Sequence, residues 1–342
     1  VIAMIPSLTA PTVSPLFQTG QLHGVEWYAV ESVISEPEVR PYAGALSAET
    51  PRHEVDVASF WLMATEVTNE QYAAYVRATG SRPPEHWGEA RIAQGRERHL
   101  AEEEKHRTEA VAQGKPAPEP APFESHAWWL AHWSEARGDA VSDRLAWEIP
   151  KGDEMRPVVF VDGDEARAYA RWAGLRSMTE LEYERAVRGD TSRNYPWGND
   201  WEDGKFAATS LAEKRTGAYP VGSFPSGVSR QGIFDLAGNV WEWTSSPYLP
   251  FPGYQPRVYD VGFGPARKKV NAIADWNGEQ RVVVGGSFQN GKLMARATTR
   301  RASDRAQAAD ALGFRCAGST RPGFDVALAL LETVLAPIAR PR

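Results

Sequence analysis

The chain has 342 residues, 42% hydrophobic and 24% charged, which excludes a wholly disordered chain, a collagen and a coiled-coil rod. A net charge of −6 removes the electrostatic footprint expected of a nucleic-acid binder. The one cysteine, Cys316, excludes an internal disulfide and any intrachain metal site built on a pair or a quartet of cysteines; His23, His53, His86, His99, His106, His126 and His132 are the seven histidines, so residues 133–342 cannot alone build a soft transition-metal site.

Residues 1–25 carry no Asp, Glu, Lys or Arg, and Pro6, Pro11 and Pro15 break any helix. They read as an extended arm that docks on its own domain or on a partner. The chain begins with Val1 rather than Met, and a lost leader would place it outside the cytoplasm, periplasmic or secreted. No run of 18 uncharged apolar residues exists to span a bilayer. His53–Val57 alternates as a half-buried strand. Thr68 is set as an N-cap with Gln71 as its capping-box partner, opening a helix that Gly80 stops.

Residues 81–155 read as an insertion. Glu89–Lys115 is dense in mixed charge and predicts a solvated helix. Lys115–Pro122 is a proline-rich spacer. Ala127–Trp133 then brings Trp128, Trp129 and Trp133 together, either to pack the insertion or to present a binding face. Pro157–Val161 reads as a buried strand. Asp162 or Asp164 caps a helix carrying Ala166, Tyr169, Ala170 and Trp172, and Thr179 with Glu182 opens another. Arg281–Val284 and Gly313–Ala317 read as strands, so the class is α+β, with two helices followed by short strands. In the tail, 318–342, Asp325 caps a helix over Val326–Leu335 whose single charge is Glu332. Lacking a polar face, it must be covered by its own domain, another subunit or a membrane surface.

Seven motifs then stand in order: Thr65–Tyr72, Pro157–Val161, Ala170–Gly174, Tyr195–Asn199, Asp235–Thr244, Gly285–Phe288 and Leu312–Ala317. Together they resemble the formylglycine-generating enzyme (sulfatase-modifying factor) family over about 50–80 and 156–317. The resemblance implies a C-type-lectin-like fold with little regular secondary structure, here spanning 26–317. It also implies a calcium site on Asp235 and Glu242 carboxylates with the Gly238 and Val240 carbonyls, suited to a hard cation. The founding enzymes hold copper on two cysteines, whose positions fall here on Asn290 and Ala295. Neither offers the thiolate that selects Cu(I), so copper oxidase activity is not expected. Cys316 matches a structural cysteine of the family. His99 and His106, or His126 and His132, lack the i,i+4 spacing that places two metal ligands on one helix face.

Where the family has its pocket, this chain has Arg296, Arg300, Arg301 and Arg305, with Trp243 nearby. The arginines are expected either to pair with carboxylates such as Asp304 and Asp310 or to receive an acidic ligand. The reading favoured at this point is a non-catalytic binding or structural protein, an extrinsic subunit of a larger, membrane-associated complex. It would meet protein partners through its arm and its C-terminal helix. The alternatives are a copper-free enzyme that oxidises or cyclises a peptide-like substrate, and a lectin-like peptide or glycan binder.

Overall fold

The structure, a computed structural model, describes residues 2–5, 43–51, 53, 55, 57–132, 147–189, 191, 193–207, 209, 217–261 and 268–319. The C-terminal helix expected over 326–335, most of the N-terminal arm and Trp133 lie outside them. The chain divides into two compact units, Val1–Gln71 with Met155–Arg342, and Tyr72–Glu154. The insertion expected at 81–155 falls almost wholly in the second. Among the described residues no helix is long and apolar enough to cross a membrane.

In chain order the elements are β1 (Ile2–Ile5), α1 (Ala43–Ala48), β2 (Phe60–Met63), α2 (Asn69–Thr79), α3 (Glu89–Ala112), α4 (Ser125–His132), α5 (Gly163–Trp172), β3 (Arg176–Ser177), α6 (Glu180–Arg188), β4 (Trp241–Tyr248), β5 (Arg257–Val261), β6 (Lys268–Ala272), β7 (Asn277–Val284), β8 (Arg300–Ser303), β9 (Leu312–Gly313) and β10 (Cys316–Gly318). One sheet has the order β1-β2-β10-β3 and a second β8-β7-β4-β9, while β5 and β6 form a separate ribbon. The described part of the arm therefore pairs with the chain's own β2, with Ile2 opposite Met63.

Local sequence dictates the helix starts. Thr68 and Gln71 exchange side-chain to backbone bonds of 2.9 and 3.3 Å. Asp162 with Glu165 and Thr179 with Glu182 form full capping boxes. On α5 the core face is Ala166, Tyr169 and Ala170, whereas Trp172 is 41% exposed rather than buried. Pro157–Val161 is not a strand. It makes one isolated bridge, Pro157 to Thr68, and Phe160 turns to a φ of 57°, which ends an extended run. His53, Val55 and Val57 are likewise outside any strand, which begins only at Phe60.

The strand expected over 313–317 is divided. β9 runs parallel to β4, and β10 pairs with β2 and β3, so Phe314 and Arg315 cross from one sheet to the other. Between the sheets and α6 lies the core of Phe60, Leu62, Met178, Tyr183, Val187, Ile233, Leu236, Val282 and Val284.

The Tyr72–Glu154 unit is organised by tryptophans. Trp129 is buried, donates its indole N–H to the Pro83 carbonyl at 3.1 Å, and lies so close to Gly88 that a Cβ there would meet its ring at 2.3 Å. Trp87 stacks on Trp147 at 5.4 Å, and the Arg77 guanidinium lies 5.4 Å from the Trp147 ring. Trp129 thus serves packing within this unit.

Candidate functional site

The Asp235–Val240 turn leads into β4 and carries three of the four residues of the expected calcium set, Asp235, Gly238 and Val240. Asp235, Gly238 and Asn239 all adopt positive φ, at 56°, 84° and 61°. The Gly238 N–H donates to the Gly285 carbonyl at 2.8 Å, and the Phe288 N–H donates to the Asn239 carbonyl at 2.9 Å. The turn therefore holds the 285–288 segment in place. Asn239 also reaches inward: its Nδ2 donates to Glu66 Oε1 at 3.1 Å, and its Oδ1 accepts the Tyr219 N–H at 2.8 Å.

Glu242 does not face a loop cradle. Its two oxygens accept from Arg315 Nε and Nη2, each at 2.7 Å, and both residues are 0% exposed. The guanidinium further donates to the Phe234 and Met63 carbonyls at 3.0 and 3.3 Å. The expected calcium set of Asp235, Gly238, Val240 and Glu242 is thus altered, because a bidentate cation already occupies the Glu242 carboxylate. Among the described residues no group of three or more His, Cys, Asp or Glu side chains is arranged to hold an ion. Burial pushes the Glu66 and Asp235 carboxyls up, and likewise that of Glu242 against the opposing pull of Arg315.

The expected pocket of Arg296, Arg300 and Trp243 is a set of buried side chains instead. Arg296 makes a two-point pair with Glu49, at 2.7 and 2.5 Å, and Thr298 donates to the same carboxylate. Arg300 pairs with Glu180 through Nε at 2.9 Å and Nη2 at 3.0 Å. Its guanidinium lies 4.0 Å from the Phe251 ring, 5.4 Å from Tyr248 and 5.5 Å from Trp276. Trp243 donates to the Val161 carbonyl at 3.0 Å from within the core. Buried cations require partners, and these come from Glu49 and Glu180 rather than Asp304 and Asp310. Asp304 accepts from Gln280 and Asp310 from Gln289, both at 2.9 Å. Arg305 pairs with Asp164, and Arg301 is exposed with its guanidinium 5.9 Å from the Trp241 ring.

The two positions where the resemblance implies cysteines make other contacts here. Asn290 Oδ1 accepts from the Ser287 N–H at 3.1 Å and the Ser287 hydroxyl at 2.9 Å, closing a turn on itself. Ala295 is buried against Tyr195 and Ala237, with Trp197 and Trp201 packed alongside. Neither residue fits copper. Cys316 does not supply the missing sulfur: it is buried in β10, and burial raises its thiol far above the usual range.

A wall of rings beside Ala295 is what sequence reasoning missed. Tyr195, Trp197 and Phe206 form a parallel stack, with centroids 5.2 and 4.9 Å apart and planes within 9°. Trp201 leans onto Tyr195 and Trp197 at 4.9 and 5.7 Å. Trp197 donates to the Asp200 carbonyl at 2.8 Å and Trp201 to Asp203 Oδ1 at 2.5 Å, which fixes both indoles half-buried at the surface. The signal for it was four aromatics within twelve residues, of which only the Tyr195–Asn199 motif was singled out.

Residues 30–320 match the sulfatase-modifying factor enzyme 1-like domain. The chain is 33% identical over 252 residues to the hercynine oxygenase of Mycolicibacterium thermoresistibile, covering 72% of this chain and 48% of that protein. It is 32% identical over 295 residues to the formylglycine-generating enzyme of Streptomyces coelicolor, covering 79% of this chain and 81% of that protein. Among solved structures, Treponema denticola variable protein 1 superposes with a TM-score of 0.51 at 15% identity, covering 93% of this chain and 95% of the other, a likeness of fold. The chain spans about half the length of the hercynine oxygenases it matches. Similarity at this level to proteins named for an oxygenation overturns the expectation of a non-catalytic binding or structural subunit. With a C-type-lectin-like α+β fold and a domain match covering most of its length, the chain belongs to the sulfatase-modifying factor, or formylglycine-generating enzyme, family.

Proposed function

We propose that this chain is a copper-independent enzyme of the family and takes part in oxidising a small or peptide-like substrate. The observation that carries this reading is the 33% identity to hercynine oxygenases over 72% of the chain. Asn290 and Ala295 supply no thiolate, so this chain's own part is to bind and orient the substrate. The half-buried Trp197 and Trp201, held by their indole N–H bonds next to Ala295, offer the flat apolar surface on which such a substrate would lie.

The test is oxygen uptake by the purified full chain in air with hercynine and, separately, with a cysteine-containing peptide, following products by mass. Uptake coupled to an oxidised product, and unchanged by a copper chelator, is the expected result. Absence of uptake with both substrates, or uptake that requires added copper, overturns the reading.

A further inference from the structure

Two arginines anchor the aromatic wall from behind. Arg188 ends α6 and is 2% exposed. Its Nε donates to Glu184 at 2.7 Å and its Nη1 to the Arg193 carbonyl at 3.0 Å. Arg193, half-buried, carries the connection onward: its Nε donates to the Thr191 hydroxyl oxygen at 2.8 Å and its Nη1 to the Pro196 carbonyl at 2.9 Å. The Thr191 hydroxyl in turn donates back to the Arg188 carbonyl at 3.0 Å. A continuous run of hydrogen bonds, several with a charged donor, therefore leads from the last residue of a helix to the residue between Tyr195 and Trp197.

Pro196 explains why a side chain is needed there. Proline has no N–H, so its carbonyl is the only backbone group by which it can be held. Arg193 takes that carbonyl. On the other side, the turn is tied to the segment that holds Ala295. The Ala297 N–H donates to the Asn194 carbonyl at 2.7 Å, and the Tyr195 hydroxyl to the Lys292 carbonyl at 3.3 Å. Residues 292–297 lie outside any helix or strand. With those bonds alone the wall would follow an irregular segment. The arginines tie it instead to α6, whose Tyr183 and Val187 sit in the core.

We propose that Arg188 and Arg193 are positioning residues for the substrate: they fix the wall to the end of α6, so that a ligand meets Trp197 and Trp201 in one arrangement beside Ala295. This role rests on the wall being the substrate surface proposed above. Neither arginine touches the reacting atoms; both act through the turn that carries the rings. A binding surface borne on a rigid element keeps its geometry better than one borne on a loop. The guanidinium of Arg193 serves Thr191 and Pro196 at once, a fork that a lysine ammonium on its flexible stem does not reproduce.

The experiment uses the full chain grown with 5-fluorotryptophan. The fluorine lines of Trp129, Trp197 and Trp201 are assigned by their loss in the three single Trp→Phe variants. Arg193→Met should displace the Trp197 and Trp201 lines and leave that of Trp129, in the other unit, in place. Arg193→Lys should not restore them. Arg188→Lys, which keeps a cation beside Glu184, should displace the same two lines. With the substrate identified by oxygen uptake, Arg193→Met should raise KM about tenfold with kcat little changed. Should Arg193→Met fail to fold, the same readings on Arg193→Lys decide. Folded Arg193 and Arg188 variants whose two lines stay in place overturn the proposal. So does an unchanged KM in the Arg193 variant where Trp201→Leu raises it. An unchanged KM in both, or no turnover at all, instead overturns the reading on which this role rests, and the role falls with it.

Discussion

Arg315 and Glu242 close a two-point ion pair at 2.7 Å per contact with neither side chain reaching solvent. Arg315 lies where the chain crosses from β9 to β10, and Glu242 lies on β4. The pair therefore ties the two sheets together. Removing one partner strands a buried charge, so Arg315→Met should cost about 3–5 kcal/mol in urea denaturation. Adding Glu242→Leu to that variant should recover part of the loss, because the carboxylate paired with Arg315 is removed too, while Glu66 and Asp235 still lose the guanidinium's charge. A double variant as unstable as the sum of the two singles would show that the pair is uncoupled.

Glu184 makes stability depend on pH in an unusual direction. Burial raises its carboxyl from 4.5 to about 7, against the pull of Arg188, whose Nε lies 2.7 Å away. Between these two values the folded chain holds a proton that the unfolded chain has released. Stability from this group is therefore complete below about 4.5 and is lost as pH rises through about 7. Glu184→Gln should flatten the fall in urea midpoint across that window; a fall as steep as in wild type would rule Glu184 out as its source.

Gly286 has no room for a side chain. Its φ is 71°, and a Cβ would meet the Met294 carbonyl oxygen at 2.8 Å. Gly286→Ala should lower stability by about 2 kcal/mol, combining left-handed strain with displacement of the 294–295 backbone. A denaturation midpoint indistinguishable from wild type would contradict this packing.

Trp201 offers the cleanest test of the aromatic wall as a substrate surface. It leans on the stack without being sandwiched in it, so Trp201→Leu should leave the fold intact. Once a substrate is established, KM should rise about tenfold with kcat little changed, the signature of lost uniform binding. An unaltered KM would move the substrate elsewhere.

Local features were legible in the sequence because their causes are local. Thr68 with Gln71, Asp162 with Glu165, and Thr179 with Glu182 lie three residues apart, and their helices begin where those residues dictate. The fold was legible through the family motifs. What was hidden depends on partners distant along the chain. Arg296 finds Glu49 across 247 positions and Arg300 finds Glu180 across 120, so a basic run that reads as a pocket dissolves into separate pairings. Pro157–Val161 has the composition of a strand, and only the backbone turn at Phe160 reveals that it is not one. At the candidate site the residue types were readable, but the commitment of Glu242 to Arg315 was not.

Cys316 is the single thiol of the chain, sealed in β10 between β2 and β3. An alkylating reagent can reach it only in molecules whose first sheet has come apart. The rate of labelling is therefore a built-in clock for opening of that sheet, readable without introducing any probe.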